Sequence, residues 1–249
     1  MEKKKMSRFS NCLGRNMNIM VYGSEGTPLI AFPCQDGMCD NWESFHMPDE
    51  IGEFIENGKI QLFCVDTVDR ESWSDNAGNG AHRAWIQEQY YHYICDEAVP
   101  YIASLNGSDA LPILAGCSLG ATHAAICFLR RPELFSGMIA LSGCYDADFF
   151  WHGFSNRIVY DNNPVLFLSN LPEDHPYIEL YNKKKIVFCV GQGAWEEEGI
   201  RTTGLLKDIF ERKGIHAWCD FWGYDVNHDW PWWYKQMRYF LPYVLGEKS

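Results

Sequence analysis

The sequence predicts an α/β fold, a mainly parallel central sheet with helices on both faces. Three observations carry that reading. Short strand-like runs alternate with longer amphipathic runs along the chain, the mark of repeated strand–helix units. Most of the short runs are apolar throughout, which suits strands covered on both sides. The 249 residues contain no repeat, low-complexity tract or Pro/Ser-rich linker, so residues 1–249 read as a single domain.

Taken in order, residues 17–22 and 29–32 read as the first strands, the second stopped by Pro33. Residues 60–66, 113–115, 138–141, 186–190 and 217–222 follow as further strands. Between them, residues 49–57 carry Ile51, Phe54 and Ile55 on one helical stripe, ended by Gly58. Residues 81–105 place Ile86, Tyr90, Tyr93, Ile94 and Ala98 at helical spacing, with a bend expected at Pro100. Leu205, Leu206, Ile209 and Phe210 run into Lys213 and Gly214, a basic last turn with a glycine stop. Ligands of such sheets bind at the carboxyl ends of the strands, so function is expected in the loops there.

Composition narrows the partners. With 21 basic and 33 acidic side chains the net charge is −12, a field that repels nucleic acid and anionic membrane surfaces. No apolar run approaches the roughly 20 residues of a membrane span. The basic N-terminus leads into no apolar signal core, so a cytoplasmic location is expected. The ten cysteines show no Cys-x-x-Cys and no zinc-type spacing, and Cys64 and Cys189 lie inside apolar runs as small hydrophobes. Free thiols in a reducing compartment are the expectation, and no metal or other cofactor is expected. The expected partner is a small-molecule ester, for the reasons that follow; nothing in the sequence speaks to oligomeric state.

The informative segment is Gly116-Cys-Ser-Leu-Gly120. It directly follows an apolar strand and directly precedes a helix of small residues, the strand–turn–helix setting in which Gly-x-Ser-x-Gly presents a nucleophilic serine. A serine hydroxyl needs a base. His228 lies between the last strand and the C-terminal helix, where it can face Ser118; the other seven histidines fall on helices or at unsuitable places in the strand order.

These residues resemble the "Putative esterase" branch of the α/β-hydrolases, which includes S-formylglutathione hydrolases, feruloyl esterases and mycolyltransferases. The segments 28–33, 58–66, 71–73, the Ser118 elbow, 140–143 and 223–233 run in that branch's order, from about residue 16 to residue 241. The resemblance implies a serine carboxylic-ester hydrolase working through an acyl-enzyme on Ser118. It also implies a triad acid in a Gly-x-x-Asp turn after the strand 186–190, but that turn reads Gly191-Gln-Gly-Ala194-Trp-Glu196-Glu-Glu198, with alanine at the acid position. Glu196 is the nearest replacement, and Glu197, Glu198 and Asp146 compete with it. The acids also suit a solvated first turn of the next helix. Oxyanion donors are expected from the N–H of Leu119 and, by alignment of Pro33-Cys34 with the family's His-Gly, from Gln35. Trp42, Phe45, Trp73, Trp195, Trp230, Trp232 and Trp233 crowd the same loops and are candidates for an acyl or sugar pocket, with Trp232 and Trp233 read as anchors of the last helix. Two alternatives stand beside hydrolysis: acyl transfer on the same triad, and an inactive binding protein on this fold, which Ala194 favours and Ser118 with His228 oppose.

Overall fold

A computed structural model describes residues 1–247 of the chain. Eight strands form one sheet: β1 Lys3–Ser10, β2 Arg15–Tyr22, β3 Thr27–Phe32, β4 Ile60–Val65, β5 Ile113–Cys117, β6 Gly137–Leu141, β7 Lys185–Val190 and β8 Trp218–Phe221. Their spatial order is β1-β2-β4-β3-β5-β6-β7-β8. β3 through β8 run parallel, with β4 beside β3, while β1 and β2 are antiparallel to their neighbours. This is the α/β-hydrolase fold expected from the sequence.

The parallel strands are apolar because both their faces are covered, and the twofold strand periodicity divides their side chains between two cores. Ile30, Phe63, Leu114, Met138 and Phe188 enter a core roofed by the helices Gly80–His92, Leu119–Arg130 and Glu197–Lys213. Their alternates Leu29, Leu62, Ile113, Ile139 and Val187 enter the other, closed by Trp42, Met47, Ile51 and the last helix, Trp230–Val244. Cys64 and Cys189 are buried here, and burial pushes both thiols well above their ordinary pKa. All ten cysteines are free. Among the described residues no helix is long and apolar enough to cross a membrane.

Three local differences from the sequence reading have physical causes. β1 pairs only with β2 and is almost wholly exposed, so it lacks the apolar run that betrays the other strands. The stripe over 49–57 breaks into two short helices, Met47–Glu50 and Gly52–Glu56. At 81–105 the helix Gly80–His92 widens into a π-turn over Tyr93–Ala98 and resumes as Val99–Asn106. Pro100 falls in the first turn of that last piece, where its missing N–H costs no hydrogen bond.

Candidate active site

Ser118 sits at the carboxyl end of β5, at the centre of the sheet, with φ +57° and ψ −130°. That backbone is unfavourable for a residue with a Cβ, and the surrounding close packing imposes it. A Cβ on Gly116 would stand 2.2 Å from the backbone of Gly120, and a Cβ on Gly120 would stand 2.4 Å from the carbonyl oxygen of Pro33. Both glycines are therefore required by contact. The Ser118 N–H donates to the carbonyl of Leu141 on β6, which fastens the elbow to the neighbouring strand.

His228 arrives on the loop after β8. The Ser118 hydroxyl lies 2.9 Å from His228 Nε2, and His228 Nδ1 lies 3.1 Å from Glu196 Oε2. With the imidazole hydrogen on Nδ1 donated to the carboxylate, Nε2 is left to accept from Ser118 O–H. Trp233 meets the imidazole edge-on, at 5.0 Å between ring centroids.

The glutamate is the best-held member of the line. Glu196 is completely buried although it stands at the N-cap of Glu197–Lys213. Its Oε1 accepts the hydroxyl of Ser142 at 2.6 Å and the N–H of Gly191 at 3.3 Å. Ser142 follows β6, has φ +55°, and in turn accepts from the Trp233 indole N–H at 3.1 Å. These contacts hold Oε1 and leave Oε2 aimed at His228.

Ala194, where an aspartate was expected, is exposed, but its backbone ties the acid turn to the histidine loop. The Ala194 N–H donates to Asn227 Oδ1 at 2.8 Å and its carbonyl accepts from the His228 N–H at 3.0 Å. The Gly193 N–H donates to the carbonyl of Val226 at 2.9 Å. Asp229 then caps the last helix by accepting from the Trp230 N–H. Every residue of the Asn227–His228–Asp229 run thus has a separate structural task.

The competing acids lie elsewhere. Glu197 is exposed, and Glu198 pairs with Arg201 at 2.9 Å. Asp146 takes hydrogen bonds from Asn163 at 3.0 Å and Arg201 at 3.1 Å. Burial pushes its carboxyl up, but those bonds prevail and hold it below the ordinary aspartate range.

Leu119 is the first residue of its helix, so its N–H has no partner within the helix. Gln35 lies on the loop after β3, between two tethered neighbours: Cys34 N–H donates to Asn41 Oδ1 at 3.0 Å and Asp36 N–H to Asp69 Oδ2 at 3.1 Å. Among the described residues neither the Leu119 nor the Gln35 N–H donates to protein.

A cleft of about 730 Å³ opens beside Gln35, lined among others by Trp73, Asp146, Phe149, Phe150 and Arg201. Of the expected aromatics only Trp73 lines it. Trp42 is buried, donating to the Phe32 carbonyl; Trp230 stacks on Phe45; and Trp195 projects into solvent, 82% exposed. Trp233 does anchor the last helix, but it also touches the site through Ser142 and His228. Phe149 and Phe150 come from the run of short helices between Asp148 and Asn182, which sequence patterning left unread. Those helices are four to seven residues long, too short to show an amphipathic period.

A family model described as "Putative esterase" matches residues 10–243. Solved structures share the fold at low sequence identity. A ferulic acid esterase aligns at 17% identity and TM-score 0.76, over 98% of this chain and 98% of its own. An S-formylglutathione hydrolase from Agrobacterium tumefaciens aligns at 15% and 0.74, over 99% and 95%. MPT51 from Mycobacterium tuberculosis aligns at 14% and 0.72, over 99% and 98%. Among curated proteins, none matches the chain by sequence.

Proposed function

We propose, from the premise that the chain belongs to the "Putative esterase" family, that it is a serine hydrolase cleaving carboxylic esters through an acyl-enzyme on Ser118. The observation that carries this reading is His228 bridging Ser118 Oγ and Glu196 Oε2 at 2.9 and 3.1 Å.

In the first half-reaction His228 Nε2 takes the Ser118 hydroxyl proton as Oγ attacks the ester carbonyl carbon. The carbonyl π electrons move to oxygen, and the N–H groups of Leu119 and Gln35 hold the resulting oxyanion. Glu196 keeps the imidazole in the tautomer that can accept the proton and stabilises the imidazolium once formed. Collapse of the intermediate expels the alcohol, which leaves with the proton from His228 Nε2. In the second half His228 deprotonates water, the water oxygen attacks the acyl carbon, and the acid departs as Ser118 regains its proton. No step calls for a metal.

The ferulic acid esterase and the S-formylglutathione hydrolase to which this chain is similar support an ester or thioester substrate in their own cases. For this chain we take small acyl, aryl or sugar esters as the class; the cleft that meets the site at Gln35, though lined by neither Ser118 nor His228, mixes Trp73, Phe149 and Phe150 with polar side chains. Turnover of p-nitrophenyl acetate and butyrate tests the reading, with fluorophosphonate labelling of the serine. Ser118→Ala is expected to abolish labelling and lower kcat by at least about four decades. Turnover unchanged in Ser118→Ala would remove the proposal. Added alcohols that divert the acyl group from water would recast the enzyme as an acyltransferase on the same triad.

A further inference from the structure

The triad leaves unused a fully buried pair one turn along the elbow helix. His123 Nε2 lies 2.8 Å from Asp69 Oδ1, and neither side chain has any exposed surface. The other carboxylate oxygen, Oδ2, accepts the N–H of Asp36 at 3.1 Å. His123 Nδ1 has no partner among the described residues. A hydrogen there would be a buried donor without an acceptor, so the hydrogen sits on Nε2 and points at Asp69. Phe32 stacks on the His123 ring, and Trp73 and Tyr90 meet it edge-on, which leaves the ring little room to turn.

The placement gives this pair a purpose beyond filling the core. Residues four apart on a helix lie on one face, so His123 sits one turn below Leu119, whose N–H is one oxyanion donor. Asp36 directly follows Gln35, whose N–H is the other. Asp36 also has φ +60°, a left-handed backbone that aspartate tolerates better than most non-glycine residues. The path Leu119–helix–His123–Asp69–Asp36–Gln35 therefore connects the two donors through two hydrogen bonds, the one between His123 and Asp69 fully buried and the one from the Asp36 N–H partly so.

We propose that His123 and Asp69 are positioning residues that set the gap between the two oxyanion donors, His123 by gripping Asp69 and Asp69 by gripping the loop that carries Gln35. The proposal rests on the esterase reading for its kinetic consequence, but not for its structural one. Full loss of an oxyanion donor costs about 10² to 10³ in kcat, and a loosened donor should cost less.

The experiment compares the wild-type chain with His123→Leu, which keeps volume but not the donor, and His123→Gln, which keeps a donor. On p-nitrophenyl acetate, His123→Leu is expected to lower kcat about 10- to 100-fold with KM within about threefold, and His123→Gln to stay within about threefold of wild type. Fluorophosphonate labelling should slow in parallel with kcat. A rise in KM at unchanged kcat, or His123→Gln falling as far as His123→Leu, would overturn the proposal, because binding or packing would then be the cause. Amide hydrogen exchange of the wild-type chain needs no variant and no activity. The Asp36 amide, although in a loop, should exchange as slowly as amides of β3 and β5. Fast exchange there would dismiss the link whether or not the chain hydrolyses esters, whereas slow exchange in a chain without esterase activity would count against the functional reading alone.

Discussion

The elbow at Gly116–Gly120 and the acid turn at 191–198 deliver two members of one hydrogen-bonded line by different means. At the elbow the backbone does everything. Ser118 is held at φ +57° by two glycines with no space for a Cβ, and its side chain is one atom beyond Cβ. At the acid turn the backbone is zipped to the histidine loop through Gly193 and Ala194, and a long side chain two residues later reaches the imidazole. A serine at an elbow has no substitute position, because no other residue points there. A carboxylate can be supplied from any backbone site within reach of Nδ1, provided its own oxygens are held. Ser142 and Gly191 perform that holding for Glu196.

The sharpest test of this contrast removes the carboxylate without its shape. Glu196→Gln is expected to lower kcat by about three to four decades, since the wrong imidazole tautomer is no longer disfavoured. Glu197→Gln, Glu198→Gln and Asp146→Asn should each leave kcat within about threefold, because none of these carboxylates touches His228; Glu198 and Asp146 line the cleft, so their loss would be read in KM. Equal losses across these variants in ester turnover would erase the distinction. At the elbow, Gly120→Ala forces a Cβ against the Pro33 carbonyl and should cost about 1–3 kcal/mol or more in denaturant unfolding. Gly204→Ala, in the middle of Glu197–Lys213 with open space around it, should instead stabilise by about 0.5–1 kcal/mol. A harmless Gly120→Ala would mean that the elbow is looser than its contacts require. The smallest effect belongs to the support of the acid: Ser142→Ala removes the two buried hydrogen bonds of that hydroxyl, to Glu196 and from Trp233, and should lower kcat about tenfold at unchanged KM.

The same contrast explains what could be read before the fold was known. Ser118 was legible because its motif is local, five residues whose setting between strand and helix is visible nearby. His228 followed from strand order. Glu196 emerged only as the nearest of several acids, since what selects it is burial beside Ser142, a residue 54 positions away. Ser142 itself carried no signal beyond a short Ala-Leu-Ser-Gly run, and its positive φ cannot be read from composition. The His123–Asp69 pair was hidden for a related reason. A histidine on an apolar helix looks like a core residue until the loop after β4 brings a carboxylate to it. The cleft aromatics Phe149 and Phe150 sit on helices too short to leave a period. Strands were legible wherever two-sided burial wrote a continuous apolar run, and β1 escaped because it has none.

That exposed strand bears on how copies of the chain meet each other. An unpaired sheet edge is a template for a further strand, and a second copy of β1 is the nearest candidate. Side-by-side pairing of two β1 strands in parallel register would set Lys3, Lys4 and Lys5 against the same three lysines. Antiparallel pairing centred on Met6 would set Lys4 against Arg8. In both of these registers like charges face each other, which disfavours lengthening the sheet by a second copy of β1.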